Sequence, residues 1–512
     1  MQLNPFDILV FLGFMGFVVV FSMFKSRREE TGEDFFLASR GLVWWLIGFS
    51  LIAANISTEQ FVGMNGGAAG NVGLAIASYD WMAAITLVFV ALFFLPRFLK
   101  SGIFTIPEFL EYRYNPAARA IMAFSTMVVY IGVTISAVLY SGGLTIHTIF
   151  DMNLTASVWL IGAIAALYTT WGGLKAVAWA DLFQGSALII GGLCVTAFGL
   201  AAVGGPAKLF AENQDKFHMF LPADHPELPW TALVIGLWIP NFYYWGLNQY
   251  IAQRALAARS IRDGQFGVLL AASMQVILPL IIVIPGIIAH HLYREQLVDT
   301  ADAAFPLLIR NLVPAGLRGF IFAAISGAVI SSLASMLNSA STIFTMDLYR
   351  RHLNKEASPR TLVTIGRVST LVFVVIGCLI APQLANPKFR GIFHYIQDFQ
   401  GYISPGILAA FVFGLFIKRA PSAAGITALL LNPVVYGVLH LEVFDTISFL
   451  NKMAITFGVV IAAMTVITIL NPLRTPVILP VRKDYDVKTA PSVVWFGTVI
   501  IVVTLALYVL FW

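Results

Sequence analysis

Trp44-Trp45-Leu46-Ile47-Gly48-Phe49-Ser50-Leu51-Ile52-Ala53-Ala54-Asn55-Ile56-Ser57-Thr58-Glu59-Gln60-Phe61-Val62-Gly63-Met64-Asn65-Gly66-Gly67 starts as an apolar membrane helix and then stops behaving as one. Asn55, Ser57, Thr58, Glu59 and Gln60 fall where the bilayer midplane is expected, and Gly63, Gly66 and Gly67 follow. Backbone facing hydrocarbon must be helical or paired in a barrel, so an interrupted helix is tolerated only around a protein-lined cavity. Carbonyls freed at such a break can coordinate a cation, and Gln60 can hydrogen-bond a polar solute. The competing account is a kinked structural helix with one polar contact to a neighbour.

Composition favours the membrane. Hydrophobic residues make up 59% of the 512 and charged residues 11%, against about 25% charged in a soluble domain. No polar block is long enough to form a soluble domain, so the gaps near 204–229, 292–315 and 471–492 are loops. The net charge of +5 is not a nucleic-acid signature, because the basic residues sort by membrane side. Cys194 and Cys378 lie in apolar runs, with neither a disulfide framework nor a CxxC metal site. The first apolar run, 6–24, has acidic Asp7 near its start and basic residues after it, the pattern of a retained span.

A spanning helix needs about 20 apolar residues. On that measure about fourteen spans are predicted, at 4–24, 43–66, 72–99, 118–148, 154–173, 177–203, 230–253, 265–291, 316–346, 361–382, 390–417, 421–441, 447–470 and 493–511. The positive-inside rule then puts both termini outside. Most of the 31 Lys and Arg fall on the cytoplasmic side in that arrangement, among them Arg40, Arg97, Arg113, Arg119, Arg254, Arg259, Arg262, Arg350 and Arg351.

The seventh span is also unusual. It contains Pro240, which removes a backbone donor, and Asn241, Asn248 and Gln249 at membrane depth. Two interrupted spans five apart point to an inverted-repeat transporter with its solute held between them. The repeats would be 41–204 and 230–417, with 1–40 an extra amino-terminal helix and loop and 418–512 extra carboxy-terminal helices.

The ninth span is rich in small residues, which favour close helix packing. Ser331 and Ser332 stand apart from that role because they are adjacent and follow Ala328 by one turn. Two hydroxyl oxygens and a carbonyl make half a shell for a hard cation such as Na⁺, which carbonyls near Ala53 and Ile56 would complete. Ser335 and Ser339 are assigned to packing. Asp80 is a candidate acceptor for sugar hydroxyls, against a solvated carboxylate at a helix end. Asp181 starts the sixth span, where placement near a helix N-terminus competes with a role in ion exit. Gln397 offers two donors and an acceptor among aromatic neighbours. No GxSxG elbow, P-loop or HExxH occurs, so an enzyme is not indicated and uphill transport would draw on an ion gradient.

These residues resemble the sodium/solute symporter family, and within it the bacterial sodium/galactose branch. The resemblance is carried by 41–67, 73–85, 102–114, 241–254, 328–349 and 395–411. It implies an all-α membrane protein with a leucine-transporter-type five-plus-five inverted repeat that works by alternating access. By motif it implies a Na⁺ site from the carbonyls of Ala53, Ile56 and Ala328 and the hydroxyls of Ser331 and Ser332. Asp181 would lie on the exit path. Gln60, Asn241 and Gln397 match sugar contacts, Tyr244 the cytoplasmic-side gate, and Met64, Tyr79 and Phe393 the outer lid. Asp80 stands where galactose-transporting relatives carry Glu, Ala83 replaces Ser, Thr134 replaces Asn and Gln275 replaces Lys, so the sugar is open while the sugar class is kept.

The expectation is a bacterial inner-membrane symporter that couples Na⁺, its co-transported ion, to a neutral glucose- or galactose-like sugar. Its surroundings are membrane lipid, with no nucleic acid, and homo-oligomerisation stays open. The rival readings are Na⁺ symport of an inositol, other polyol or amino acid, and a passive channel or membrane sensor.

Overall fold

The structure, a computed structural model, describes residues 4–25, 32–56, 59–150, 152–297, 301–385, 392–481 and 489–512. Among them the secondary structure is helical, and the only β contacts are two isolated bridges, Leu42 with Ala258 and Leu221 with Pro229. Every one of the expected spans contains helix. Nine helices among the described residues are long and apolar enough to cross a membrane. Four shorter apolar ones, Trp44–Asn55, Leu154–Leu167, Ser404–Phe416 and Ser422–Val438, lie in other windows.

Local sequence explains many of the ends. Asn115, Ser260, Ser358 and Ser448 each accept a hydrogen bond from a first-turn N–H, which satisfies a donor that has no intrahelical partner. Gly102 ends the third span with φ 71°, a left-handed conformation that suits glycine. The fifth and sixth spans form one helical stretch, Leu154–Val203, bent at Gly173, where φ is 48°.

The ninth span is the axis of the molecule. In Leu317–Ile343 nearly every residue from Ile321 onward is buried, as its small side chains require, and Phe344–Leu353 continues it as a π-helix. The surrounding helices leave broad apolar faces outward, with Leu379, Leu470, Val502 and Val509 all more than half exposed. That is the surface a bilayer covers.

Among the described residues three spans are interrupted. The second helix stops at Asn55, Ile56 turns extended with φ −76° and ψ 111°, and helix resumes as a π-turn over Glu59–Met64. The seventh is interrupted at Asn248 (φ −77°, ψ 123°) and not at Pro240. A π-turn over Ala232–Gly236 precedes the proline, and such a bulge makes room for a ring that lacks a donor. The eleventh was expected to be continuous. It is instead two helices, Ile392–Gln400 and Ser404–Phe416, because Pro405 starts a new helix and Gly401 has the Tyr436 ring packed where a Cβ would stand.

Candidate functional site

The three interruptions face a single cavity. It is lined by Asn55, Gln60 and Met64 of the second span, Tyr79 and Asp80 of the third and Thr134 of the fourth. Asn241, Tyr244 and Tyr250 come from the seventh, Met336 from the ninth, and Ile396, Gln397 and Gln400 from the eleventh. Its volume is about 60 Å³, room for roughly four to six waters.

The lining mixes apolar surface with polar groups. Asn55 Nδ2, Gln60 Oε1, Asp80 Oδ2 and Gln400 Oε1 are buried with no hydrogen-bond partner among the described residues. Buried polar atoms are ordinarily paired, so such a cluster calls for a ligand or water. Asp80 is 2% exposed in the first turn of Ser78–Phe89, which rules out the solvated helix-end carboxylate. No Lys, Arg or His lines the cavity among the described residues. Thr134 and Asn241 spend a donor each on carbonyls one turn back, at 3.1 Å to Tyr130 and 3.1 Å to Leu237, so the Thr134 oxygen can still accept from a solute and Asn241 keeps its carbonyl oxygen and second N–H. Tyr244 packs edge-on against Trp245 and Tyr250, with centroids 5.2 and 5.7 Å away, and adds aromatic surface to the lining.

Two of the expected solute and lid residues are not in this set. Gln275 lies outside the lining, fully buried on Ile261–Ile277, with both side-chain polar atoms unpartnered among the described residues. The Phe393 side chain falls outside the described residues. Sequence reasoning did not pick Tyr250, Met336 or Gln400 for the lining. Gln400 had a signal, since it lies three residues after Gln397 and so on the same helix face.

Beside the cavity, the second and ninth spans meet at their polar groups. The Ser332 hydroxyl donates to the Ala54 carbonyl at 3.3 Å, one residue from the carbonyl of Ala53 and two from that of Ile56. Ala53, Ile56, Ala328, Ser331 and Ser332 are all buried. The neighbouring Ser331 hydroxyl donates to Asp181. An oxygen that donates its own proton still presents lone pairs, as a Na⁺ ligand must.

Asp181 corrects an expectation. It lies deep within the bent Leu154–Val203 stretch, eight residues beyond Gly173, and is fully buried, so helix-end placement does not account for it. Its partners are Ser331, Ser50 and the Arg254 guanidinium at 3.0 Å. Arg254, assigned from sequence to a cytoplasmic loop, is fully buried too. It donates to Ser50 at 2.6 Å, to the Tyr250 carbonyl and to Ser335, which gives Ser335 a polar role beyond packing. A buried charge needs such pairing, since unpaired it costs several kcal/mol.

The profile of the sodium:solute symporter family matches residues 35–431. The chain belongs to that family. The family's members are transporters rather than enzymes, and this chain is an integral-membrane Na⁺ symporter with Na⁺ as the co-transported ion. It is 38% identical to the sodium/glucose cotransporter of Vibrio parahaemolyticus, an alignment covering 100% of this chain and 99% of that protein. It is 34% identical to the sodium/myo-inositol cotransporter 2 of Sus scrofa, over 84% of this chain and 69% of the relative. In structure it superposes on a substrate-bound, outward-open Na⁺-coupled sialic acid symporter with a TM-score of 0.83, at 22% identity, over 93% of this chain and 100% of that one. The family's fold is therefore the one built here: all-α, membrane-embedded and of the leucine-transporter type.

Proposed function

We propose that the protein couples inward Na⁺ movement to uptake of a neutral, hydroxyl-rich solute, a glucose- or galactose-like sugar, by alternating access. The observation that carries this is the cavity itself. Four unpartnered amide and carboxylate atoms surround it, and no cationic side chain lines it among the described residues. Hydroxyls are both donors and acceptors, so they fit a ring of Gln, Asn and Asp, whereas a carboxylate solute would lack a counter-charge. The Vibrio relative, which is named for glucose, supports the sugar class. The inositol relatives keep a cyclic polyol as the second reading, because inositol offers the same chemistry.

In this proposal Gln60, Asp80, Thr134, Asn241 and Gln397 hold the solute against Tyr244, while Gln275 lies outside the lining. Met64 and Tyr79 cover the outer side, with Phe393 as the further lid residue. Na⁺ sits among the Ala53, Ile56 and Ala328 carbonyls and the Ser331 and Ser332 hydroxyls, and Asp181 borders its exit. Na⁺ links the second and ninth spans and so favours the state in which they meet, because a ligand shifts a population by its differential affinity. The repeats run over 41–204 and 230–417 in a bacterial inner membrane, with both termini outside and the charged clusters near Arg350 and Arg351 inside. Purified protein in liposomes should accumulate labelled glucose, galactose or myo-inositol only under an inward Na⁺ gradient. Na⁺-independent equilibration of all three would instead identify a passive pathway.

A further inference from the structure

The helix that carries Gln397 into the cavity is held from outside the repeats. Asn432, Tyr436 and His440 recur every four residues along Ser422–Val438 and just past its end, so they share one helix face. All three reach the eleventh span at its interruption. Asn432 Oδ1 accepts from the Gly406 N–H at 3.1 Å, while its Nδ2 donates to the carbonyls of Gly401, at 3.3 Å, and Tyr402. These are backbone groups that an unbroken helix would satisfy internally. The Tyr436 hydroxyl donates to Asp398 Oδ1 at 2.8 Å. His440 Nε2 lies 2.9 Å from the same carboxylate oxygen, and its Nδ1 2.8 Å from the Tyr436 carbonyl. Gly401 permits the approach, because a Cβ there would overlap the Tyr436 ring.

Both nitrogens of His440 thus face acceptors. A neutral imidazole has one donor, so only the imidazolium satisfies both contacts. We propose that Asn432, Tyr436 and His440 are positioning residues that hold the Gln397 helix against the solute cavity, and that protonation of His440 tightens the hold. The groups facing the ring are the Asp398 carboxylate, the Tyr436 and Tyr402 rings, and Lys452 from the following helix. The carboxylate is in contact and favours the charged ring, while the ammonium opposes it from farther off. As pH rises through the imidazole's titration one hydrogen bond is lost. The neutral ring then donates to only one of its two acceptors and its contact with Asp398 loses charge assistance, so residues 395–403 are held less tightly.

The part of this inference that concerns solute affinity rests on the proposed solute site, and the experiment separates the two. In full-length protein in liposomes, hydrogen–deuterium exchange of residues 395–403 is compared at about pH 6 and about pH 9, corrected for intrinsic exchange. Wild-type protection should fall about tenfold at the higher pH, the scale of one charge-assisted hydrogen bond. In His440→Gln, which keeps a donor and cannot titrate, protection should be equal at both. Tyr436→Phe, which removes only a hydroxyl, should lower protection at both pH values while keeping the pH response. A wild-type response matched by His440→Gln, or no wild-type response, overturns the proposal. Na⁺-driven uptake of labelled glucose is measured alongside, and its KM should rise with pH in wild type and stay flat in His440→Gln. If wild type takes up no glucose while the exchange result holds, the solute assignment fails and the clamp stands.

Discussion

The buried pair of Arg254 and Asp181 allows a stability prediction to be worked from geometry. Arg254 Nη2 lies 3.0 Å from Asp181 with both side chains fully buried, and Arg254 also serves Ser50, Ser335 and the Tyr250 carbonyl. Replacing Arg254 with Met keeps the stem's apolar volume but strands a carboxylate that only two serine hydroxyls still satisfy. Breaking a buried pair by removing one partner costs about 3–5 kcal/mol. Asp181→Asn strands the guanidinium and should cost a similar amount, whereas the double variant leaves neither charge uncompensated and should regain much of the loss. The expected coupling is therefore about 2 kcal/mol or more, well above the ~0.5 kcal/mol within which independent sites add. Denaturant unfolding of the detergent-solubilised protein, followed by tryptophan fluorescence, measures all four corners of the cycle. Arg259 and Asp263 supply the control, since they pair at 2.7 Å with the arginine side chain 60% exposed, and an exposed pair contributes at most about 1 kcal/mol. Strict additivity at Arg254 and Asp181 would refute the claim that burial makes this pair interdependent.

Other outcomes follow from the same geometry. Ser332→Ala removes the hydroxyl that meets the Ala54 carbonyl; the Na⁺ concentration for half-maximal uptake should rise about tenfold or more, as for loss of a bond to a charged group, and an unchanged Na⁺ curve removes Ser332 from the ion site. Gln60→Ala and Gln397→Ala should each raise the solute KM about tenfold while Na⁺-induced fluorescence changes persist; unaltered KM in both takes them out of the solute site. Between the third and fourth spans, burial disfavours the Glu111 charge, but hydrogen bonds from Arg119 at 2.9 Å and Arg351 at 2.5 Å outweigh it and hold the carboxyl below its ordinary value. Its stabilising contribution is therefore full above the ordinary glutamate pKa of about 4.3 and drains as pH falls through the lowered value. Glu111→Gln should flatten that part of the acid unfolding curve, and an identical curve would show that the carboxylate contributes nothing there.

The sequence by itself determined that this chain spans a membrane, where most helices lie, and that the second helix breaks after Asn55. Hydrocarbon length and the cost of polar backbone in lipid are one-dimensional constraints, readable along the chain. Adjacent hydroxyls at Ser331 and Ser332, and amides at Gln60 and Gln397, were legible for the same reason: polar groups at membrane depth need a use. Tertiary structure decided what each one meets. Arg254 looked like a loop cation because its partner Asp181 lies 73 residues away, and nothing local distinguishes a buried arginine from a cytoplasmic one. That the seventh span breaks at Asn248 and not at Pro240, and that the eleventh breaks at Gly401, was likewise not legible, since Tyr130 accepts from the Tyr250 N–H at 3.2 Å and donates to Asn248 from another span, while Asn432 satisfies the Gly401 turn. A helix can end inside a membrane only where other protein groups, water or a bound ligand satisfy its freed backbone, and which groups do so is set by packing in three dimensions.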